Sequence, residues 1–292
     1  PTLIRPSPMG NPESSLHHCP LADPTGHFAY RSWGDGETVM LLHGLGDHSL
    51  VWQSLAQSLA GYHCLAPDLP GHGQSSKPEA ASAYTAAHLA RRLEQLAIAL
   101  DSPPLIVVAH SWAAKLALLW AQQQPQRVTR LVLVDPFFVN RLPGWLKPTL
   151  PWLYRRLPFL KVMGPFPDQA RAITLAQGLK QYRGWSPWQQ AVFAAAMEVK
   201  PDGRWGSRFT TAARNGVFQD MLETSGLTQQ LPRPTLLLLP EQGLNRFAWQ
   251  LRPYRTYLPQ LQVQRIPGNH WPHLVAPDSF NQTVANYLAS CR

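Results

Sequence analysis

Short apolar segments alternate with helical segments along most of the chain. The runs Ile-Val-Val-Ala (106–109) and Leu-Val-Leu-Val (131–134) are apolar throughout, a pattern typical of central strands that are covered on both faces. Over 85–101, leucines recur at three- and four-residue steps and form the apolar stripe of a helix. The alternation predicts an α/β fold, with a mostly parallel sheet and helices on both of its faces.

The same patterns locate the individual elements. The predicted strands are 27–33, 38–42, 62–66, 105–109, 131–134, 235–239 and 263–266. The predicted helices are 85–101, 112–124 and 279–291.

The alternation stops between 136 and 230, where strand signals vanish and prolines, tryptophans and short helical patterns take over. We interpret 136–230 as a helical cap that is inserted in the chain between two core strands and lies over the carboxyl edge of the sheet. The core would then comprise 27–135 and 231–292, and 1–26 would be an N-terminal extension.

Composition narrows the class of protein. Of the 292 residues, 45% are apolar and 15% are charged, which is ordinary for a globular protein. The longest uncharged apolar stretch falls short of the roughly 20 residues of a membrane span. The first 26 residues lack the apolar segment of a signal peptide, so we expect a cytoplasmic protein.

Three cysteines without metal-ligand spacing predict neither a disulfide framework nor a zinc site.

The formal net charge of +9 favours anionic partners. No nucleic-acid motif is present and the basic residues are scattered, so we do not expect nucleic-acid binding. The stretch 141–161 mixes aromatic and basic residues, and this mixture favours peripheral contact with an anionic membrane. Its four internal prolines argue against one continuous amphipathic helix. The oligomeric state stays open.

The segment Ala109-His110-Ser111-Trp112-Ala113 joins an apolar strand to a helix rich in alanine and leucine. It has the features of a nucleophile elbow, in which a serine occupies a strained turn between residues with very small side chains. Ala109 and Ala113 stand where glycine is usual and keep that small size. The alternative is a serine that merely caps the helix.

A second segment places His43, Gly44, Leu45 and Gly46 directly after a strand. Backbone N–H groups of Leu45 and Trp112 are candidates for an oxyanion hole. We expect Asp68 and His72, in the loop after the next strand, to be structural. The residues expected to line the substrate pocket are His43, Gly44, His110, Phe137 and Trp271.

The candidate general base is His270, which follows the last strand after Pro267-Gly268-Asn269. A histidine after the last strand is positioned to reach a serine at the carboxyl edge of the sheet. His273 is the competitor, and either histidine could instead be an ordinary surface residue.

In chain order, the motifs HGLG, DLPGHGQS, AHSWA, LVLVDP and PGNH resemble those of the α/β-hydrolase superfamily, over about residues 27–290. The resemblance implies an eight-stranded, mostly parallel sheet, a cap domain, no cofactor, and the chain order nucleophile, acid, histidine. Because one fold supports several reactions, it does not by itself fix the function.

One departure from the family pattern concerns the catalytic acid. Where an aspartate usually follows the penultimate strand, this chain has Gly243 in the segment Leu239-Pro240-Glu241-Gln242-Gly243. Asp135, at the end of LVLVD, is the preferred acid, and Glu241 is the alternative. A degraded triad is the third reading.

These residues predict a serine hydrolase that cleaves an ester or related acyl bond through an acyl-enzyme. A C–C bond hydrolase or an acyltransferase on the same residues, or a non-catalytic binder, are the alternatives. Aromatic residues of the cap indicate a hydrophobic small-molecule acyl substrate, although most must form the cap's own core. They are Trp145, Trp152, Trp185, Trp188, Trp205, Phe137, Phe138, Phe159, Phe166 and Phe193.

Overall fold

A computed structural model describes residues 15–21, 26–149, 152 and 157–290. Its centre is an eight-stranded sheet with the strand order β1-β2-β4-β3-β5-β6-β9-β10. The strands are β1 (Leu16–Pro20), β2 (His27–Trp33), β3 (Glu37–Leu42), β4 (Tyr62–Pro67), β5 (Leu105–His110), β6 (Val128–Val134), β9 (Thr235–Gln242) and β10 (Leu261–Asn269). Strands β3 to β6, β9 and β10 pair in parallel, whereas β2 is antiparallel to both of its neighbours.

All seven predicted core strands are present, and the sheet is mostly parallel as expected. The eighth strand, β1, lies within the predicted N-terminal extension and was not foreseen. It is an edge strand whose side chains are mostly exposed, so its sequence carries no apolar pattern. The remainder of that extension, 1–14 and 22–25, lies outside the described residues.

Helices cover both faces of the sheet. They are α1 (Gln53–Ser58), α2 (Ala86–Ala99), α3 (Ala113–Gln123), α4 (Gln169–Gln177), α5 (Pro187–Ala196), α6 (Thr211–Glu223), α7 (Arg252–Tyr257), α8 (Pro272–Val275) and α9 (Pro277–Ser290). On one face, Leu93 of α2 and Trp120 of α3 belong to one buried cluster. Trp52 and Phe280 belong to a second cluster, on the other face. The central strands are therefore buried on both sides, which explains their unbroken apolar runs.

The segment 136–230 contains α4 to α6 and the short 3₁₀ helices Gly144–Thr149, Pro158–Met163 and Lys180–Tyr182. It also contains an antiparallel pair, β7 (Met197–Val199) and β8 (Trp205–Ser207), where no strand was expected. Three residues per strand are too few for a readable alternation. Phe218 of this segment belongs to the first of the two core clusters, and Phe193 belongs to the second.

The longest helices among the described residues, α2 and α9, have 14 residues each. In that part of the chain, no helix combines the length and apolarity that crossing a bilayer requires. Cys19 and Cys64 are buried free thiols, and Cys291 lies outside the described residues.

Candidate active site

Ser111 lies in a tight turn between β5 and α3. Its backbone φ is +59°, in the left-handed region that few residues other than glycine adopt. Its N–H donates to the carbonyl of Val134 at 2.9 Å, which ties the turn to β6. Ala109 and Ala113 on either side are fully buried, so larger side chains would not fit. The turn has the geometry of a nucleophile elbow.

His270 follows β10 directly and faces this serine. Its Nε2 lies 2.9 Å from Ser111 Oγ, and its Nδ1 lies 2.7 Å from Asp135 Oδ2. Since a carboxylate only accepts, Nδ1 carries the proton and Nε2 is free to accept one from the serine. Side chains from the ends of β5, β6 and β10 thus form one hydrogen-bonded chain, which is the arrangement of a catalytic triad.

The carboxylate of Asp135 is completely buried and is held by several donors. Leu244 N–H donates to Oδ2 at 2.8 Å, and the side-chain amide of Asn245 donates to Oδ1 at 2.9 Å. These bonds compensate for removing the carboxylate from water. Sequence reasoning missed Asn245, although an amide two residues beyond the usual acid position was a possible signal.

Gly243 explains how the acid can lie at Asp135. A Cβ atom at position 243 would come within 2.7 Å of Asp135 Oδ2 and 2.9 Å of its Cγ. The carboxylate of Asp135 therefore fills the space where a side chain at 243 would lie. Glu241, the alternative acid, is exposed at the end of β9, and no hydrogen bond from it to His270 is present in the described structure.

His273, the competing base, lies in the core and not at the serine. It is buried against Trp52, with 4.9 Å between ring centroids. Neither of its ring nitrogens has a hydrogen-bond partner among the described residues. Burial lowers the pKa of His273 to about 3, so its ring stays neutral.

His43 and Gly44 are not among the described residues that line the cavity at Ser111, contrary to expectation. His43 is buried and bridges two loops, since its Nδ1–H donates to the Gly44 carbonyl at 2.8 Å and its Nε2 accepts from Leu69 N–H at 2.9 Å. The absence of a side chain at Gly44 leaves room for the ring of His110, because a Cβ atom at position 44 would lie 2.5 Å from His110 Nδ1. Both residues support the site from behind.

Leu45 and Trp112 border the cavity together with Ser111. Trp112 is the N-cap residue of α3, so its N–H lies at the helix end where amide groups lack intrahelical acceptors. Leu45 lies in the loop after β3, the strand that pairs with β5. This arrangement fits a pair of oxyanion donors.

The cavity above Ser111 has a volume of about 230 Å³ and is mainly apolar. His110, Phe137 and Trp271 line it, as expected from the sequence. Other side chains of its wall come from distant segments, and of these only Phe159 was singled out from the sequence, as one of the cap aromatics. These include Leu157, Phe159, Lys180, Phe218, Gln242, Leu244, Arg246 and Asn269.

A buried polar cluster lies behind His270. Potential metal-ligand atoms of Asp47, His110 and His273 lie within 4.8 Å of one another, and His110 Nδ1 is 3.8 Å from Asp47 Oδ2. Such atoms are of the type that ligates zinc. His110 Nε2–H donates to the backbone carbonyl of His270 at 2.7 Å, so the cluster also fixes the loop that carries the base. Burial raises the pKa of Asp47 to about 7, which favours its neutral form.

Asp68 and His72, expected to be structural, have structural contacts. Asp68 accepts from the N–H groups of Ser49 and Gln74 at 2.7 and 2.8 Å. The ring of His72 packs between Trp112 and Phe209.

Comparison with known proteins gives relatives of several activities. A protein of Mycobacterium tuberculosis described as uncharacterised is 41% identical over 108 residues, 37% of this chain and 31% of that protein. Epoxide hydrolase 2 of Siraitia grosvenorii is 36% identical over 115 residues, 39% of this chain and 36% of that protein. These two alignments span about a third of the relatives' length. The sn-1-specific diacylglycerol lipase of Mus musculus is 27% identical over 86% of this chain and 80% of its own.

Solved structures share the whole architecture. E-2-(acetamidomethylene)succinate hydrolase superposes with a TM-score of 0.76 at 21% identity, over 94% of this chain and all of the other. The thioesterase domain from the curacin biosynthetic pathway gives 0.73 at 21% identity, over 93% of this chain and 99% of the other. The family model for the α/β-hydrolase fold matches residues 37–277. The chain therefore belongs to the α/β-hydrolase family.

Proposed function

We propose that this protein is a serine hydrolase that cleaves a carboxylic ester or a related acyl bond through an acyl-enzyme on Ser111. The observation that carries the proposal is the continuous hydrogen-bonded chain from Ser111 Oγ through His270 to Asp135. A serine hydroxyl is a weak nucleophile unless a base removes its proton as it attacks. In this hydrogen-bonded chain His270 would be the base, and Asp135 would orient it.

The reaction follows from these positions. Ser111 Oγ attacks the carbonyl carbon while its proton moves to His270 Nε2, and Asp135 stabilises the imidazolium that forms. The N–H groups of Leu45 and Trp112 stabilise the oxyanion. His270 then protonates the leaving group, and water hydrolyses the acyl-enzyme with His270 again as base.

The identity of the nucleophile discriminates against epoxide or haloalkane hydrolysis, the activities for which some relatives are named. Those substrates react at an alkyl carbon. A serine oxygen attacking an alkyl carbon would form an ether, which water does not hydrolyse at neutral pH, so turnover would stop after one event. Attack on an acyl carbon forms an ester, which the same His270 can hydrolyse. Ser111 therefore favours acyl substrates.

The apolar cavity supports a hydrophobic acyl group. Its wall includes the apolar side chains of Leu45, Phe137, Phe159, Phe218 and Trp271. Each methylene buried in such a site contributes about 0.8 kcal/mol. The non-catalytic alternative rested on a missing acid, and the contact between Asp135 and His270 argues against that alternative.

The decisive experiment is active-site labelling with a fluorophosphonate, which reacts only with an activated serine. We expect the probe to label Ser111 in the intact protein, and Ser111→Ala to lose both labelling and ester hydrolysis. Ser58→Ala, which changes an exposed serine on α1, is the matched control and should behave like the unmodified protein. Turnover above about one per cent in Ser111→Ala would overturn the assignment, because it would exclude covalent catalysis at this residue.

A further inference from the structure

A second cavity adjoins the one above Ser111. Its volume is about 470 Å³, and it lies on the other side of Phe137 and Leu244, which belong to both walls. It extends between the segment after β6 and the segment around α7. Its remaining wall includes Pro136, Phe138, Leu142, Asn245, Trp249 and Tyr254. We call it the outer groove.

The size of the inner cavity suggests that it holds only part of a substrate. Pockets for small organic ligands usually measure about 300–1,000 Å³. The inner cavity, with about 230 Å³, falls below that range, whereas the two spaces together fall within it. A substrate that fills both must pass the partition formed by Phe137 and Leu244.

The outer groove also exposes large apolar side chains. Trp249 is 68% exposed and Phe138 is 41% exposed, and both line the groove. Exposed apolar area of this kind is unfavourable in water. Covering it with an apolar ligand therefore makes the free energy of binding more favourable. The groove is therefore suited to a hydrocarbon chain or ring.

The position of the groove relative to the triad indicates which part of an ester it would bind, the acyl arm or the alcohol arm. The groove starts at Leu244 and Asn245, which are hydrogen-bonded to Asp135 on the histidine side of Ser111. The candidate oxyanion donors, Leu45 and Trp112, line the inner cavity and are absent from the described wall of the outer groove. Since His270 protonates the leaving oxygen, that oxygen must lie on the histidine side, nearest to the groove.

We propose that the outer groove binds the apolar leaving group of the ester, so that the substrates are esters with two hydrophobic arms. The acyl arm occupies the inner cavity, and the alcohol arm passes Phe137 and Leu244 into the groove. This inference rests on the proposed function. During acylation the bond from Ser111 Oγ to the acyl carbon forms and the bond from that carbon to the alcohol oxygen breaks. The serine proton travels through His270 to the alcohol, which leaves along the groove.

The test uses two series of substrates on the intact protein. In the first, hexanoic acid is esterified with alcohols of two to eight carbons. In the second, ethanol is esterified with acids of two to eight carbons. Full burial of a methylene raises kcat/KM about fourfold, and the half-open groove should give about twofold for each carbon of the alcohol.

Trp249→Ala should flatten the alcohol series and leave the acid series unchanged. Phe138→Ala is the second variant at the groove, in case the first alters its shape. The matched control is Phe247→Ala, in the same segment. Phe247 is 62% exposed but is absent from the described walls of both cavities, so both series should stay as in the unmodified protein.

Each outcome decides the question. A dependence on alcohol length that Trp249→Ala removes supports the proposal. Hydrolysis without any such dependence, or a Trp249→Ala effect on the acid series instead, overturns the groove assignment while the proposed function stands. Absence of both ester hydrolysis and fluorophosphonate labelling overturns the proposed function, and the groove assignment with it.

Discussion

Replacing Asp135 by asparagine tests the most specific feature of the site. In the native protein Oδ1 accepts from the backbone and side-chain N–H groups of Asn245, Oδ2 accepts from His270 Nδ1–H, and Leu244 N–H lies within hydrogen-bond distance of both oxygens. The donors at Asn245 would hold the amide oxygen of Asp135→Asn on their own side. Its NH₂ group would then face His270 and force the imidazole proton onto Nε2. That tautomer cannot accept the proton of Ser111.

We expect this change to lower kcat by about 10⁴, or about 5.5 kcal/mol in the barrier, because a wrong histidine tautomer has an effect of this size in serine proteases. KM should change little, since Asp135 is absent from the described wall of the substrate cavity. Steady-state kinetics on a hexanoate ester, with circular dichroism to confirm folding, would measure both quantities.

Glu241→Gln is the matched control, because Glu241 is exposed at the end of β9, and we expect near-native rates. A loss of several hundredfold confined to Glu241→Gln would refute the assignment of the acid. Near-native rates in both variants would mean that a dyad or another acid operates. The exchange Asp135→Gly with Gly243→Asp should recover part of the lost activity, since a side chain at 243 starts within 3 Å of the native carboxylate.

Four further predictions concern the base, the substrate, the surface and stability. His270→Ala should abolish turnover, whereas His273→Ala should keep it and lower the melting temperature by opening a cavity beneath Trp52; the reverse pattern would reassign the base. The kcat/KM for ethyl esters should rise with acyl length from two to eight carbons, by up to about fourfold per methylene, and a flat or falling series would contradict the apolar pocket. The protein should sediment with anionic liposomes more than with neutral ones, and less in high salt, because it carries a net charge of +9 and exposes Trp145 and Trp152; equal, negligible binding to both would exclude membrane contact. The pKa of Asp47 is raised to about 7 in the folded state from an ordinary value near 4, so its contribution to stability is present below pH 4 and is lost as the pH rises to 7, by up to about 1.4 kcal/mol per unit; urea unfolding should show no such loss in Asp47→Asn, and identical pH profiles would contradict it.

Local sequence was sufficient for the elements of the core and for the turn that carries Ser111. Buried strands of a parallel sheet need continuous apolar side chains, and amphipathic helices need a stripe, so each signal lies within one short segment. The elbow is equally local, because Ala109, Ser111 and Ala113 must satisfy one tight turn. Elements with short or exposed segments, β1 and the β7–β8 pair, carry no such signal and were missed.

The sequence by itself thus determined the α/β-hydrolase fold, the turn that carries Ser111 and the loop that carries His270. The tertiary structure decided which carboxylate completes the chain, since Asp135 and His270 are 135 residues apart and meet only because β6, β9 and β10 lie side by side. It also decided that His43 and Gly44 lie behind the pocket, and that the outer groove adjoins it. Contacts between distant segments depend on strand order and on the space that residues such as Gly243 leave, and no pattern within one segment records either.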